Sequence, residues 1–211
     1  MTEDELRDRL VLWGRLLFNR GLTPGSSGNI SSRCGEGFLV TPTNSCLGLL
    51  EPASLSRLDA DWALLTGDAP TKELPLHRAF YEGRPQCQAI VHLHSSYATA
   101  LSCLHDTDPD DAIRPLTPYT VMRVGRVPLL PYTTPGSAEV APLVAAKAGN
   151  HAAMLLANHG PVVSGPSLDA AVFAAEELEE AAKLAILTRG LAVRHLDPAQ
   201  VGLLESRFAL R

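Results

Sequence analysis

The chain has 211 residues, 45% of them hydrophobic, and 23 acidic against 18 basic side chains for a formal net charge of −5. That length and apolar content suit one well-cored unit over residues 1–211. The acidic balance, without any basic run, speaks against a nucleic-acid partner, and no apolar stretch is long enough to span a bilayer. Cys34, Cys46, Cys87 and Cys103 are scattered, with no Cys-x-x-Cys spacing. They read as reduced thiols, and with no signal-like pattern at the N-terminus the expected compartment is the cytoplasm.

Residues 3–20 set Leu6, Leu10, Val11, Leu16, Leu17 and Phe18 at helical spacing and stop at Gly21. A loop of small residues, Thr23–Asn29, leads into Ile30-Ser-Ser-Arg. Phe38–Thr41 predicts a strand stopped by Pro42, and Leu58–Leu65 a second one entering a Gly67-Asp68 hairpin-type turn. Further helices are expected over 73–82, 96–104 and 137–148. The strongest helical pattern covers 167–189, with Ser167 and Asp169 available as caps. Its run Glu176–Glu180 reads as a solvated face from which one carboxylate can reach a site. Strands are expected over 88–94, 127–130, 152–157 and 161–164, and the run after Tyr119 is also strand-like. Interleaved helices and strands give an α/β class with a mixed or largely antiparallel sheet.

The chemistry concentrates in three places. In Val91-His92-Leu93-His94 the side chains of an extended strand alternate, so His92 and His94 share a side. Such a pair is often no more than two hydrogen-bonded, half-buried histidines. His159, which ends the apolar run 152–157 in Asn158-His159-Gly160, argues instead for a metal: three neutral nitrogen ligands with one open position match a catalytic zinc. Glu73 is then a candidate fourth ligand when no substrate is bound, and an acid/base when it is. Loops of glycine and small hydroxyl residues around Gly28-Asn29, Thr43-Asn44 and Thr71 can take a phosphate through short polar groups, although each is also an ordinary turn. Lys72 is placed to neutralise substrate charge beside Glu73, and Tyr119 to donate a proton or bind a substrate hydroxyl. His77, His105, His151 and His195 lack partners at ligand spacing and read as structural or exposed.

Together Gly28-Asn29-Ile30-Ser31, Thr41-Pro-Thr-Asn44, Lys72-Glu73, His92-Leu-His94-Ser95 and Asn158-His159-Gly160 resemble the class II aldolase/adducin family over essentially the whole chain. The resemblance implies a single three-layer α/β/α domain with a mixed, mostly antiparallel central sheet. It also implies a homotetramer with a zinc ion (Zn2+) at each subunit boundary. By the same resemblance His92, His94 and His159 are the zinc ligands, Glu73 the ligand and acid/base, and Tyr119 a group supplied from a neighbouring subunit. Segments 41–48, 99–104, 113–123 and 158–163 are similar to the branch of the family that decarboxylates 3-oxo-tetronate 4-phosphate. The expected substrate is therefore a small phosphorylated sugar acid. Cleavage of fuculose 1-phosphate, dehydration or epimerisation on the same site, and an adducin-like interaction module are the alternatives. The last is disfavoured because all three histidines and Glu73 are present.

Overall fold

The computed structural model describes residues 1–208; the last three positions of the expected 1–211 unit lie outside the described residues. In chain order the elements are α1 (Glu3–Asn19), β1 (Asn29–Cys34), β2 (Gly37–Val40), β3 (Ser56–Leu58), β4 (Leu64–Thr66) and α2 (Leu74–Gly83). Next come β5 (Ala89–His92), α3 (Ser96–Ser102), β6 (Leu129–Leu130), α4 (Val140–Ala148), β7 (Ala153–Leu156), β8 (Gly160–Gly165), α5 (Leu168–Leu187) and α6 (Pro198–Arg207). The helix starts follow capping chemistry. Thr2 and Glu5 form a reciprocal capping box at α1, Asp197 and Gln200 another at α6, and Ser167 accepts the Ala170 N–H at α5.

Eight strands make one sheet in the order β4-β3-β2-β1-β5-β8-β7-β6. Every pairing is antiparallel except β6 with β7, so the sheet is mixed and mostly antiparallel. Period-2 alternation sorts its side chains into two cores. Ile30, Leu39, Val91, Leu155 and Val163 pack with residues of α1, α3 and α5 on one face. Val40, Ile90, Met154, Leu156 and Val162 pack with residues of α2 and α4 on the other. The result is the expected three-layer α/β/α arrangement. No helix among the described residues is long and apolar enough to cross a membrane.

Four expectations are corrected. The stretch 58–65 is not one strand: β3 and β4 are separated by a turn in which Asp59 Oδ1 accepts the N–H groups of Asp61 and Ala63. Gly67-Asp68 comes after β4. An aspartate able to gather two amides in this way makes the turn itself. The run after Tyr119 is a π-helical turn, Thr120–Val124, and not a strand. Asp169 does not cap α5; it pairs with Arg9 and accepts the Trp13 indole N–H at 2.6 Å, tying α5 to α1. Within the acidic run, Glu179 is 7% exposed and accepts the backbone N–H groups of Tyr97 and Ala98, each at 2.9 Å. Helix α6 was not expected at all.

Candidate metal centre

The site lies where the central strands β1, β5 and β8 end on the α2 side of the sheet. His92 is the last residue of β5, opposite Asn29 of β1 and Val162 of β8. Residues opposite one another in an antiparallel pair project to the same face. The strand stops there, so His94 lies beyond it and not on it as the 88–94 expectation had it. His94 converges all the same, its ring centroid 5.1 Å from that of His92. His159 enters from the tight turn joining β7 to β8, closed by the His159 N–H donating to Leu156 O at 3.1 Å. Asn158 takes the positive φ of 55° that this turn requires, a conformation asparagine tolerates better than most residues.

The three imidazoles aim the same atom at one point. Nε2 of His159 lies 3.2 Å from Nε2 of His92 and 3.1 Å from Nε2 of His94. Glu73, immediately before α2, sets Oε2 at 3.2 Å from His92 Nε2 and Oε1 at 3.5 Å from His159 Nε2. All four ligand atoms fall within 4.8 Å of one another. Neighbouring donors around tetrahedral zinc, at about 2.0–2.1 Å from the ion, are separated by about 3.3–3.4 Å, close to these spacings. The tautomer also fits. His92 Nδ1 is 2.8 Å from Pro161 O, which can only accept, so the proton sits on Nδ1 and Nε2 keeps its lone pair. Burial is the main force that lowers His94 and His159, each to about 4, with the neighbouring His92 adding to it. Both rings are therefore neutral near pH 7, as metal ligands must be. For Glu73 burial favours the protonated form, whereas a His92 ring that carries a second proton, as it can with no metal on Nε2, and the Asn29 N–H favour the carboxylate and hold it well below the usual range. The donor set, its spacing and its protonation fit a divalent metal.

In front of the cluster is a cavity of about 520 Å³ lined by Gly28, Asn29, Thr43, Asn44, Thr71, Lys72, Glu73, His94 and His159, as well as Ser26, Ser27, Thr99, Tyr132, Gly136 and Asn158. The polar loops are zipped together by backbone: Thr71 N–H donates to Thr41 O at 3.1 Å and Thr43 N–H to Ala69 O at 2.9 Å. Gly28, at φ +78°, is a close approach; a Cβ there would stand 2.7 Å from Thr23 Oγ1 and 3.0 Å from His92 O. Lys72 is the one cationic side chain among these lining residues.

Two sequence expectations look different in three dimensions. Tyr119 is not brought to this cavity by its own chain: it is 55% exposed and lines a separate hollow with Arg20, Arg123, Phe173 and Glu176. Asn29 lines the cavity, but its side chain is already held by two protein groups, with Nδ2 donating to Glu73 Oε2 at 2.7 Å and Oδ1 2.5 Å from His77 Nε2. His77, read from the sequence as structural or exposed, is fully buried and second in line behind Glu73. The signal for it was present: Glu73 and His77 are one helical turn apart, and Asn29 and Ser31 share a strand face.

Residues 8–186 match the family described as Class II Aldolase and Adducin N-terminal domain. A 3-oxo-tetronate 4-phosphate decarboxylase of Escherichia coli (strain K12) is 47% identical over 206 residues, 97% of each chain. The crystal structure of YgbL from Klebsiella pneumoniae superposes with a TM-score of 0.94 at 48% identity, covering 97% of this chain and 99% of that one. An L-fuculose phosphate aldolase of Haemophilus influenzae is 31% identical over 99% of this chain and 95% of its own.

Proposed function

We propose, since the chain belongs to the class II aldolase and adducin N-terminal domain family, that it is a metal-dependent carbon–carbon lyase that decarboxylates 3-oxo-tetronate 4-phosphate to dihydroxyacetone phosphate and CO2. The observation that carries this reading is the convergence of Glu73 and three histidine Nε2 atoms at the head of a cavity walled by hydroxyl and amide groups. The near-full-length similarity to decarboxylases of that name supports the substrate. Residues 1–211 are taken as one unit.

His92, His94 and His159 would hold the metal, with Glu73 as the fourth ligand, and zinc suits three neutral nitrogens and one carboxylate. When bound, the metal supplies a Lewis acid beside the ketone oxygen, where negative charge develops as the carboxylate is lost. The substrate is a β-keto acid: the bond between its carboxylate carbon and C2 breaks, CO2 leaves, and the electron pair passes into an enediolate across C2 and C3. One proton is consumed in returning C2 to the CH2OH of dihydroxyacetone phosphate. Glu73 faces the cavity with its side chain 13% exposed, and we assign it the relay of that proton from solvent to C2, a role worth about 10²–10⁴-fold in rate. Gly28, Thr43, Asn44 and Thr71 take the phosphate through backbone N–H and hydroxyl or amide groups, with Asn29 able to add its second amide proton. Lys72 compensates the phosphate or carboxylate charge. Too tight a hold on the carboxylate would stabilise the ground state, which suits a mobile ammonium at the cavity rim.

A homotetramer, with Tyr119 of one subunit completing the site of another, accounts for an exposed Tyr119 that does not line its own cavity. A cytoplasmic location accords with four free cysteines. The experiment is product analysis on 3-oxo-tetronate 4-phosphate with and without chelator, beside fuculose 1-phosphate. Metal-dependent dihydroxyacetone phosphate and CO2 without aldehyde supports the reading. Aldehyde from fuculose 1-phosphate alone replaces it with the aldolase. Glu73→Gln is expected to keep its metal and lose at least about 10²-fold in kcat.

A further inference from the structure

A continuous line of buried polar groups runs inward from Glu73. Asn29 Nδ2 is 2.7 Å from Glu73 Oε2, His77 Nε2 is 2.5 Å from Asn29 Oδ1, Ser31 Oγ is 2.7 Å from His77 Nδ1, and Tyr81 Oη is 3.1 Å from Ser31 Oγ. Asn29, Ser31, His77 and Tyr81 are 5%, 0%, 0% and 3% exposed. The direction of every bond follows from the carboxylate end. Glu73, once ionised, can only accept, so Asn29 must turn its NH2 outward and its carbonyl inward. That carbonyl needs a donor, so the His77 proton sits on Nε2. Nδ1 of the neutral ring is then an acceptor, Ser31 must donate to it, and Ser31 in turn accepts from Tyr81. Each group has its only self-consistent role.

We infer that His77 is a positioning residue for the reaction: it fixes the amide of Asn29, and through it the orientation of the Glu73 carboxylate toward the metal ligands and the cavity. His77 touches neither the cavity nor a metal ligand atom, and acts only through Asn29. An asparagine amide left without this donor can flip and present its oxygen to Glu73, where two acceptors repel and the carboxylate turns away. Two elements fix the geometry. Glu73 and His77 stand one turn apart at the start of α2, and Asn29 and Ser31 stand two residues apart on one face of β1. A hydrogen bond at each joint means no member can rotate alone.

The inference rests on Glu73 acting as the proton relay, so Glu73→Gln is measured in parallel. On the metal-loaded enzyme, His77→Phe is expected to lower kcat about 10–100-fold with KM within threefold and metal content unchanged. His77→Gln, which can offer an N–H near the Nε2 position, recovers most of kcat. The deciding measurement is a double-mutant cycle with Asn29→Ala. If His77 works through Asn29, His77→Phe changes kcat less than twofold once Asn29 is alanine. A full additional loss in that background overturns the inference. Independently of turnover, protein labelled with nitrogen-15 at histidine should show one slowly exchanging Nε2–H that disappears in His77→Phe and exchanges faster in Asn29→Ala; an Nδ1–H tautomer at His77 overturns it. If His77→Phe does not fold, Ser31→Ala, which frees the tautomer, takes its place: kcat must fall at least threefold, and the fall must vanish in the Asn29→Ala background. Normal turnover by Glu73→Gln removes the functional reading. An inactive Glu73→Gln with an additive cycle removes only the role of His77.

Discussion

Replacing Glu179 by glutamine changes one heavy atom in a side chain that does not line the cavity, yet it should loosen the metal centre. Helix α3 begins at Ser96, directly after His94 and Ser95, and Ser95 makes no side-chain cap. Its first amides would be orphaned in the interior. Glu179 of α5 takes two of them, Tyr97 N–H on Oε1 and Ala98 N–H on Oε2. Glutamine can accept one of these bonds, but its NH2 faces the other donor. The loss is one charge-assisted hydrogen bond, about 1.5–3 kcal/mol, together with a buried unpaired N–H at about 1–3 kcal/mol. A total of about 4 kcal/mol is a large part of the 5–15 kcal/mol typical of a folded chain and corresponds to a fall in Tm of roughly 8–16 °C. Urea unfolding of the metal-free proteins at equal chain concentration measures it. Since His94 is carried on the segment that α3 anchors, metal affinity should fall about 10–100-fold, read by competition with a chelating dye. A destabilisation under about 1 kcal/mol, with unchanged metal affinity, would refute the claim that α3 is held in place from α5.

Gly160→Ala puts a Cβ 2.4 Å from Leu93 O and 3.3 Å from Thr99 Oγ1. It should displace the Leu93-His94 backbone, destabilise by about 1–3 kcal/mol and weaken metal binding, whereas Gly202→Ala, with nothing within 4 Å, should be neutral or slightly stabilising in thermal scans. Lys72→Met removes the cation of the cavity and should raise KM for the phosphorylated oxo acid at least about tenfold while kcat changes less, by the logic of lost uniform binding; a normal KM with reduced kcat would move Lys72 into the chemical step. Burial lowers His77 to about 3, with His92 adding to the effect, and holds His94 and His159 near 4, against about 6.5 in the unfolded chain. The unfolded state therefore binds more protons between these values, and stability present above pH 6.5 is lost as pH falls. In metal-free protein between pH 6 and 5 each such imidazole contributes up to about 1.4 kcal/mol per pH unit, so His77→Phe should have a shallower slope by about that amount in urea titrations, and an equal slope would contradict a neutral, buried His77.

The candidate metal ligands were legible because their signals are local. A His-x-His at the end of an apolar strand and an Asn-His-Gly ending another stand out as short motifs, although the strand stops at His92 and its alternation does not place His94. The helices α1, α2 and α5 were legible for the same reason, as stretches of helix length and pattern, with a capping serine, Ser167, read only for α5. The turn at Asp59 was misplaced because Gly67-Asp68 is the stronger dipeptide signal, while the hairpin is closed by two amides gathered on one carboxylate. The π-helical turn after Tyr119 was misread because a short apolar run carries no period of its own.

What the sequence by itself determined is the list of reactive groups at the candidate metal centre, since residue chemistry is a property of the chain alone. What only the tertiary structure decided is which groups meet. His92 and His159 are 67 residues apart but 3.2 Å apart at Nε2 because β5 pairs with β8. Asn29, 44 residues before Glu73, meets it because the start of α2 lies against β1. His77, read as structural or exposed, becomes the buried group behind the carboxylate, and Glu179 turns from a solvated charge into the anchor of α3. A buried donor must find an acceptor somewhere, and which acceptor it finds depends on strand order and helix packing, which no local window contains.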